Sequence, residues 1–120
     1  MAAFTQLDIS GNGQVMKFTW TITTADPIGT VIPLQYAEWA DRTVYVVGGT
    51  WGGATLVWQG GSSSSFLTLT DAQTVAISKT ADFVETVIET PEYSRPNLTV
   101  VGVGATMTVT CIARKGAYKR

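Results

Sequence analysis

Residues 43–60 read TVYVVGGTWGGATLVWQG, and this stretch decides the fold class. Threonine, valine and the aromatic residues favour the pleated surface of a β-strand. The glycine pairs at 48–49 and 52–53 can take the positive φ angles that tight turns between strands require. The stretch therefore predicts two short strands joined by a glycine-rich turn that carries Trp51.

The same strand-and-turn pattern extends over most of the chain. Apolar and polar residues alternate along residues 14–24 and again along residues 106–114, which is the period of a half-buried strand. The side predicted to face the core consists of Met16, Phe18, Trp20, Ile22, Met107, Val109, Cys111 and Ala113. Eight or nine short strands are predicted, at residues 14–24, 30–39, 43–47, 54–59, 66–69, 75–78, 83–90, 98–101 and 106–114. No segment has a convincing helical period, so the chain is predicted to be an all-β, antiparallel β-sandwich of jelly-roll type.

The length of 120 residues fits one domain. A turn signal at 10–13 separates an N-terminal arm, residues 1–13, from the sandwich at residues 14–114. The arm is expected either to be flexible or to clasp a neighbour. A basic tail at 115–120 follows the last strand, either as a solvated terminus or as a short arm for an acidic neighbour.

Composition narrows the classes of partner. Charged residues make up 14% of the chain, against roughly 25% in an average domain, and the net charge is −1. Such a chain lacks the basic footprint of nucleic-acid binding, and its neutral surface suits burial against a partner or a copy of itself. It also suits an ordinary β-sandwich rich in surface threonine.

The cellular setting is predicted from Cys111 and from apolar segments. A single cysteine on the core side of a strand behaves as a small hydrophobe, and the lack of an internal disulfide fits a reducing compartment. Neither a signal peptide nor an apolar run long enough to span a membrane is recognisable, so folding in a cytoplasm without membrane contact is expected.

The chain offers little for catalysis. It contains no histidine, which removes the usual general base, the Ser-His and Cys-His nucleophiles and histidine-based zinc sites. Glu85 and Glu89 share the face of one predicted strand, but at about 13 Å they are too far apart for a glycosidase pair. No enzyme activity, catalytic residue, metal site or cofactor is expected.

The sequence does not place all four tryptophans in the core or on the surface. Trp20 alternates with core residues, whereas the sequence leaves Trp58 undecided between core and surface. Trp39 and Trp51 lie near turns, where an aromatic ring can cap the end of a sandwich, contact a protein or stack on a sugar.

Several segments together resemble a known family. They are ADRTVYV at 40–46, GTWGGATLVWQG at 49–60, LTDAQ at 69–73, TPEYSRP at 90–96, and the closing strand at 106–114. Over roughly residues 36–114 the chain resembles small β-rich capsid decoration, or cement, proteins of tailed bacteriophages. It departs from the family at residues 62–66, where a polar turn and a tryptophan often stand. The resemblance implies many copies on an icosahedral shell, and neither enzyme activity nor a cofactor.

We therefore expect a structural virion protein on the capsid surface, folded in the host cytoplasm. It would bridge neighbouring subunits of the major capsid protein and form a homo-oligomer, a dimer or a trimer. Residues expected to contact the partner are Phe4, Leu7, Asp8, Trp51, Tyr93 and Arg95. Two alternatives stay open: another virion part, such as a tail or head-completion protein, and a carbohydrate-binding β-sandwich whose stacking platform consists of Tyr36, Trp39 and Trp51.

Overall fold

The computed structural model describes residues 1–62 and 64–115. Its strands are β1 Phe4–Asp8, β2 Val15–Thr23, β3 Asp41–Val46, β4 Thr55–Gly61, β5 Phe66–Thr68, β6 Ser78–Lys79, β7 Phe83–Val87, β8 Tyr93–Val100 and β9 Thr106–Arg114. A single 3₁₀ turn, Leu34–Tyr36, lies between β2 and β3.

The strands form two antiparallel sheets. The larger sheet has the order β1-β2-β9-β3-β7. In the smaller sheet β8 pairs along one edge of β4, while β5 and β6 pair with different residues of β4 along the other edge. Residues 27–32 extend the smaller sheet beyond β8, since the Gly29 amide donates to the Pro96 carbonyl and the Ile32 amide to the Ser94 carbonyl.

The connections between the sheets follow the jelly-roll pattern. The chain passes from β2 to residues 27–32 in the other sheet, back to β3, across to β4, and later from β7 to β8 to β9. In one sheet the strands of this pattern lie in the order β2-β9-β3-β7. In the facing sheet residues 27–32 come first, then β8, then β4, and finally β5 and β6 along the far edge of β4. These two orders together form a double Greek key. The predicted antiparallel, jelly-roll-like β-sandwich is confirmed.

The core lies between the two sheets, and the alternation in β2 and β9 predicted its members correctly. All eight residues assigned to the core side of these strands are buried. Trp20 of β2 meets Trp58 of β4 edge to face, with ring centroids 5.7 Å apart. This contact assigns Trp58 to the core.

Two prolines explain two of the differences between the predicted strands and the structure. The strand predicted at 30–39 ends at Ile32, because Pro33 lacks an amide donor and the chain turns into the 3₁₀ turn. Conversely, β8 continues through Pro96. The backbone nitrogen of Pro96 faces residues 27–32 and not β4, because its carbonyl, on the same side, accepts the bond from the Gly29 amide. The ladder between β8 and β4 is therefore kept.

The N-terminal segment belongs to the sandwich. Within the stretch predicted as an arm, β1 forms an edge of the larger sheet, and Ala2 lies against the smaller one. The Ala2 amide donates to the Ile28 carbonyl at 2.7 Å, and Phe4 packs edge-on against Phe18 with centroids 5.4 Å apart. The segment is held as a strap because it is partly apolar and reaches both sheets. Of the predicted basic tail at 115–120, residues 116–120 lie outside the described residues.

Residues 70–76 form an excursion from the smaller sheet. Before the excursion, the Leu69 amide donates to the Trp58 carbonyl of β4. After it, the chain is again beside β4, where the Trp58 amide donates to the Ile77 carbonyl. Beyond these bonds, the Thr70 amide and hydroxyl both donate to the Glu89 carboxylate just after β7. The excursion thus joins the smaller sheet to the larger one.

Candidate functional site

One end of the sandwich, called the tip below, consists of residues 24–26, 47–54, 80–82 and 101–105. The strand register brings these four turns together, since β2 ends where β9 begins, β3 ends where β7 begins, and β4 begins where β8 ends. The position of the tip is therefore determined by the strand register of both sheets and not by the conformation of a single loop.

The Asp82 carboxylate organises the turn between β3 and β4. It accepts hydrogen bonds from the Gly48 amide at 2.7 Å, the Gly49 amide at 3.1 Å and the Trp51 indole Nε1 at 2.8 Å. The Trp51 hydrogen bond, aided by the two amides, lowers the pKa of Asp82 below its usual range because these donors favour the charged carboxylate. An exposed aspartate thus fixes both the turn and the ring of Trp51.

A backbone lock joins this turn to the turn between β8 and β9. The Val103 amide donates to the Gly52 carbonyl at 2.9 Å. Gly52 has a φ of +54°, and a Cβ there would lie 2.1 Å from the Val103 carbonyl oxygen. Only glycine allows the two turns to approach this closely.

The tip presents apolar side chains to solvent. Val103 is 86% exposed and Val47 is 69% exposed, and Val101 is also exposed. Residues 24–26, 47–54, 80–82 and 101–105 contain no lysine, arginine or glutamate, and the Asp26 carboxylate pairs with the N-terminal ammonium at 3.1 Å. Exposed apolar groups on an ordered surface with few charged side chains are typical of a protein contact site.

Trp51 lies between the core and the surface at the tip. Its ring is half-buried and packs against the core cluster, while its Nε1 is bound by Asp82. The sequence identified this residue as a candidate contact but did not reveal Asp82 as its partner, because the two lie 31 residues apart.

The other contact residues predicted from the N-terminal segment lie on different surfaces. Phe4 is half-buried against the core, and Leu7 is exposed on the outer face of the larger sheet. Asp8 accepts bonds from the Ser10 hydroxyl and from the amides of residues 10, 11 and 13, so it caps its own turn. The Ser10 bond leads these donors in lowering the pKa of Asp8.

Tyr93 and Arg95 lie on the outer face of the smaller sheet. The Arg95 guanidinium carbon lies 3.8 Å from the centroid of the Phe66 ring, and its Nε donates to the Gln59 Oε1 at 3.1 Å. Asn97 Nδ2 donates to the same oxygen at 3.2 Å. Gln59, Phe66 and Asn97 were not predicted as site residues, although the alternation of residues 93, 95 and 97 was a signal for them.

The aromatic residues proposed to stack on a sugar are not assembled into one platform. Tyr36 is buried and accepts a hydrogen bond at 2.6 Å from Gln6, and its ring meets Trp39 edge to face at 5.0 Å. These two rings precede β3, whereas Trp51 follows it at the other end of the sandwich.

A buried cation holds the end of the sandwich opposite the tip. Arg42 is only 2% exposed and donates to the Tyr36 carbonyl at 2.7 Å, the Trp39 carbonyl at 2.9 Å and the Ser94 hydroxyl at 3.1 Å. Burial lowers the pKa of Arg42. Burial also raises the pKa of the Cys111 thiol to about 12, against the opposing charge of Arg42, so the thiol is not an activated nucleophile.

The carboxylates near the excursion have structural partners. Glu85 forms an ion pair with Lys79 at 2.7 Å, and Glu89 binds Thr70.

A pocket of about 370 Å³ is lined by Ala40, Asp41, Thr86, Val87 and Ile88, with one carboxylate among them. In the described ranges, histidine, cysteine, aspartate and glutamate nowhere gather in threes as a metal site would need. No helix within residues 1–62 and 64–115 is long and apolar enough to cross a membrane.

Comparison of the chain with protein-family models, curated proteins and solved structures finds no match. Its function is therefore inferred from the surfaces described above.

Proposed function

We propose that the protein is a structural component of a tailed-phage virion that decorates and stabilises the icosahedral capsid. In this proposal it bridges neighbouring subunits of the major capsid protein and has no enzyme activity. The observation that carries the proposal is the tip, an exposed surface with apolar side chains whose turns are held by hydrogen bonds, two of them to the Asp82 carboxylate. The sequence resemblance over residues 36–114 supports the same assignment.

The tip is suited to bind without rearranging. Asp82 and the lock between Gly52 and Val103 order its turns before any partner arrives, which removes part of the entropy loss of binding. Burial of a largely exposed valine such as Val47 or Val103 contributes on the order of 1–2 kcal/mol. Burial of two or three such side chains gives one weak contact, which suits a protein that acts in many copies.

The proposal extends to assembly and place. A homo-oligomer, a dimer or a trimer, matches the closed symmetry of a shell and multiplies weak contacts. The molecule folds in the host cytoplasm and then binds the outer capsid surface.

The test is addition of the purified protein to shells of the encoding phage that lack it. We expect the protein to sediment with the shells and to raise their melting temperature. Val103→Asp places a charge on the tip and should abolish binding, because that charge would lose its hydration at the interface. Thr108→Asp is the matched control, since Thr108 is also an exposed β-sandwich residue but lies on the outer face of the larger sheet.

Failure of the wild-type protein to bind or stabilise shells would overturn the proposal. Equal binding by the Val103→Asp variant would exclude the tip as the contact surface. Cryo-electron microscopy of intact virions separates the alternatives, because a tail or head-completion protein gives density away from the capsid lattice. A carbohydrate-binding module would instead bind glycans without shells.

A further inference from the structure

We infer that the outer face of the smaller sheet is a second contact site, at which Arg95 binds an aspartate or glutamate side chain of a capsid subunit. The site, called the Arg95 patch below, consists of Gln59, Phe66, Tyr93, Arg95 and Asn97. The identity of the partner rests on the proposed function, whereas the recognition of a carboxylate rests on the geometry of the patch.

The patch is ordered by hydrogen bonds between β4 and β8. Arg95 stands opposite Gln59 in the register, and Asn97 is two residues further along β8. Gln59 Oε1 accepts from Arg95 Nε at 3.1 Å and from Asn97 Nδ2 at 3.2 Å, which uses both of its lone pairs. The Gln59 amide group therefore presents its N–H donors away from this pair of bonds.

The Arg95 guanidinium is held in one plane. It stacks on the Phe66 ring at 3.8 Å, a favourable cation–π contact. Because Nε is bound to Gln59, the edge that carries Nη1 and Nη2 is the one left for a partner. Two parallel N–H groups on that edge match the two oxygens of a carboxylate.

The charge of Arg95 lacks a counterion among the described residues. Lys79 pairs with Glu85 at 2.7 Å and Arg114 with Asp41 at 3.4 Å, but the described ion pairs do not include Arg95. A half-buried, ordered cation beside amide donors is complementary to an acidic group.

The surroundings favour a protein as the source of that acid. The patch lies on an open sheet face, and the pocket at Ala40 and Ile88 is formed by other elements. Tyrosine, phenylalanine and arginine are the residues enriched where proteins meet. With the tip at one end and the Arg95 patch on a flank, one molecule can touch two neighbouring subunits.

Shell binding by substituted proteins tests the inference. Arg95→Gln should weaken binding by about 10- to 100-fold, the loss expected for charge-assisted hydrogen bonds. Arg95→Lys keeps the charge but not the paired donors, so it should restore only part of the affinity. Arg114→Gln is the matched control, because it removes an arginine from the other sheet. Thermal unfolding of each variant alone verifies that it folds.

A second measurement needs no shells. The side-chain Nε–Hε NMR signal of Arg95 is followed while a short glutamate-containing peptide, its glutamine counterpart or glucuronate is added. We expect a saturable shift with the glutamate peptide, little with the glutamine peptide, and loss of the effect in Phe66→Leu, where the guanidinium is no longer stacked.

The outcomes distinguish the two proposals. Wild-type affinity in Arg95→Gln overturns this inference and leaves the proposed function intact. If the wild-type protein does not bind shells, the proposed function fails and the peptide titration decides the carboxylate site alone. No shift with the glutamate peptide, or a shift with glucuronate only, overturns the inference.

Discussion

The two ends of the sandwich each hold a loop with one charged side chain, but in opposite surroundings. At the tip, the exposed Asp82 carboxylate accepts three hydrogen bonds from the turn between β3 and β4. At the other end, the buried Arg42 guanidinium donates three hydrogen bonds, two of them to the loop before β3. The number of bonds is equal, whereas the dielectric environment is not.

The difference shows how burial changes the role of a charged residue. Around Asp82, water can replace each lost hydrogen bond, so the carboxylate orders the tip without deciding whether the chain folds. Around Arg42, the bonds to the Tyr36 carbonyl and the Ser94 hydroxyl are buried, so losing the donor would leave buried polar atoms unpaired. The loop at the Arg42 end is thus anchored to the core, while the tip is an ordered surface.

The largest expected effect is that of Arg42→Met. This substitution keeps an apolar stem but removes every donor, so we expect the free energy of unfolding to fall by about 3 kcal/mol or more. Urea denaturation measures the loss. Arg114→Met serves as the control, since Arg114 is in an exposed ion pair and its loss should change the free energy by less than about 1 kcal/mol. Equal losses in the two variants would remove the distinction between buried and exposed charges.

Cys111 reports the same contrast through its reactivity. The thiol is buried with its pKa raised to about 12, so alkylation proceeds only through opened states. A loss of about 3 kcal/mol in Arg42→Met should therefore speed alkylation by iodoacetamide by about 100-fold. In Asp82→Asn the rate should stay within about twofold of wild type. Mass spectrometry over time gives both rates, and similar acceleration in both variants would contradict the comparison.

Trp51→Ala is expected to have an intermediate effect. The ring is only half-buried, so its removal should lower the free energy of unfolding by about 1–2 kcal/mol, less than the 3–5 kcal/mol for a core tryptophan. Thermal denaturation measures the change. Trp51→Phe retains most of the packing and loses the bond to Asp82, and should fall between the alanine variant and the wild type. A loss as large as that of Arg42→Met would place Trp51 in the core proper.

The smallest effect is the pH dependence of the Asp82 interaction. Because the folded-state pKa is lowered from 3.8, the ionised carboxylate stabilises the fold at pH values above 3.8 and loses this contribution as the pH falls through the folded-state value. The difference in melting temperature between wild type and Asp82→Asn should be small and constant above about pH 5. It should shrink as the pH falls below 3.8. A difference that grows on acidification would show that the sign is wrong.

Much of the fold could be predicted from the sequence because alternation is a local signal. The strands at 14–24 and 106–114 differ from β2 and β9 by no more than one residue at either end. The strap formed by β1 was not predicted as part of a sheet, since it is short and its pairing depends on contacts with β2 and with residues 27–32.

The candidate sites were predicted less completely because their contacts join distant residues. Trp51 was identified by type and position, but its ordering by Asp82 depends on where β7 begins. The role of Arg42 depends on backbone carbonyls that only the folded loop brings into reach. The Arg95 patch was obscured because Pro96 suggested a turn where the structure has the middle of β8.

The excursion at residues 70–76 gives the molecule a mechanical joint. Two sheets that contact each other only through apolar side chains can slide past each other, since apolar contacts have no preferred direction. Here the bonds from Thr70 to Glu89 tie the edge of the smaller sheet to the end of β7. The flank at Arg95 is connected to this joint through the pairing of β8 with β4 and the bond from the Leu69 amide to the Trp58 carbonyl. The sandwich is therefore expected to resist sliding along its core more than apolar packing alone would allow.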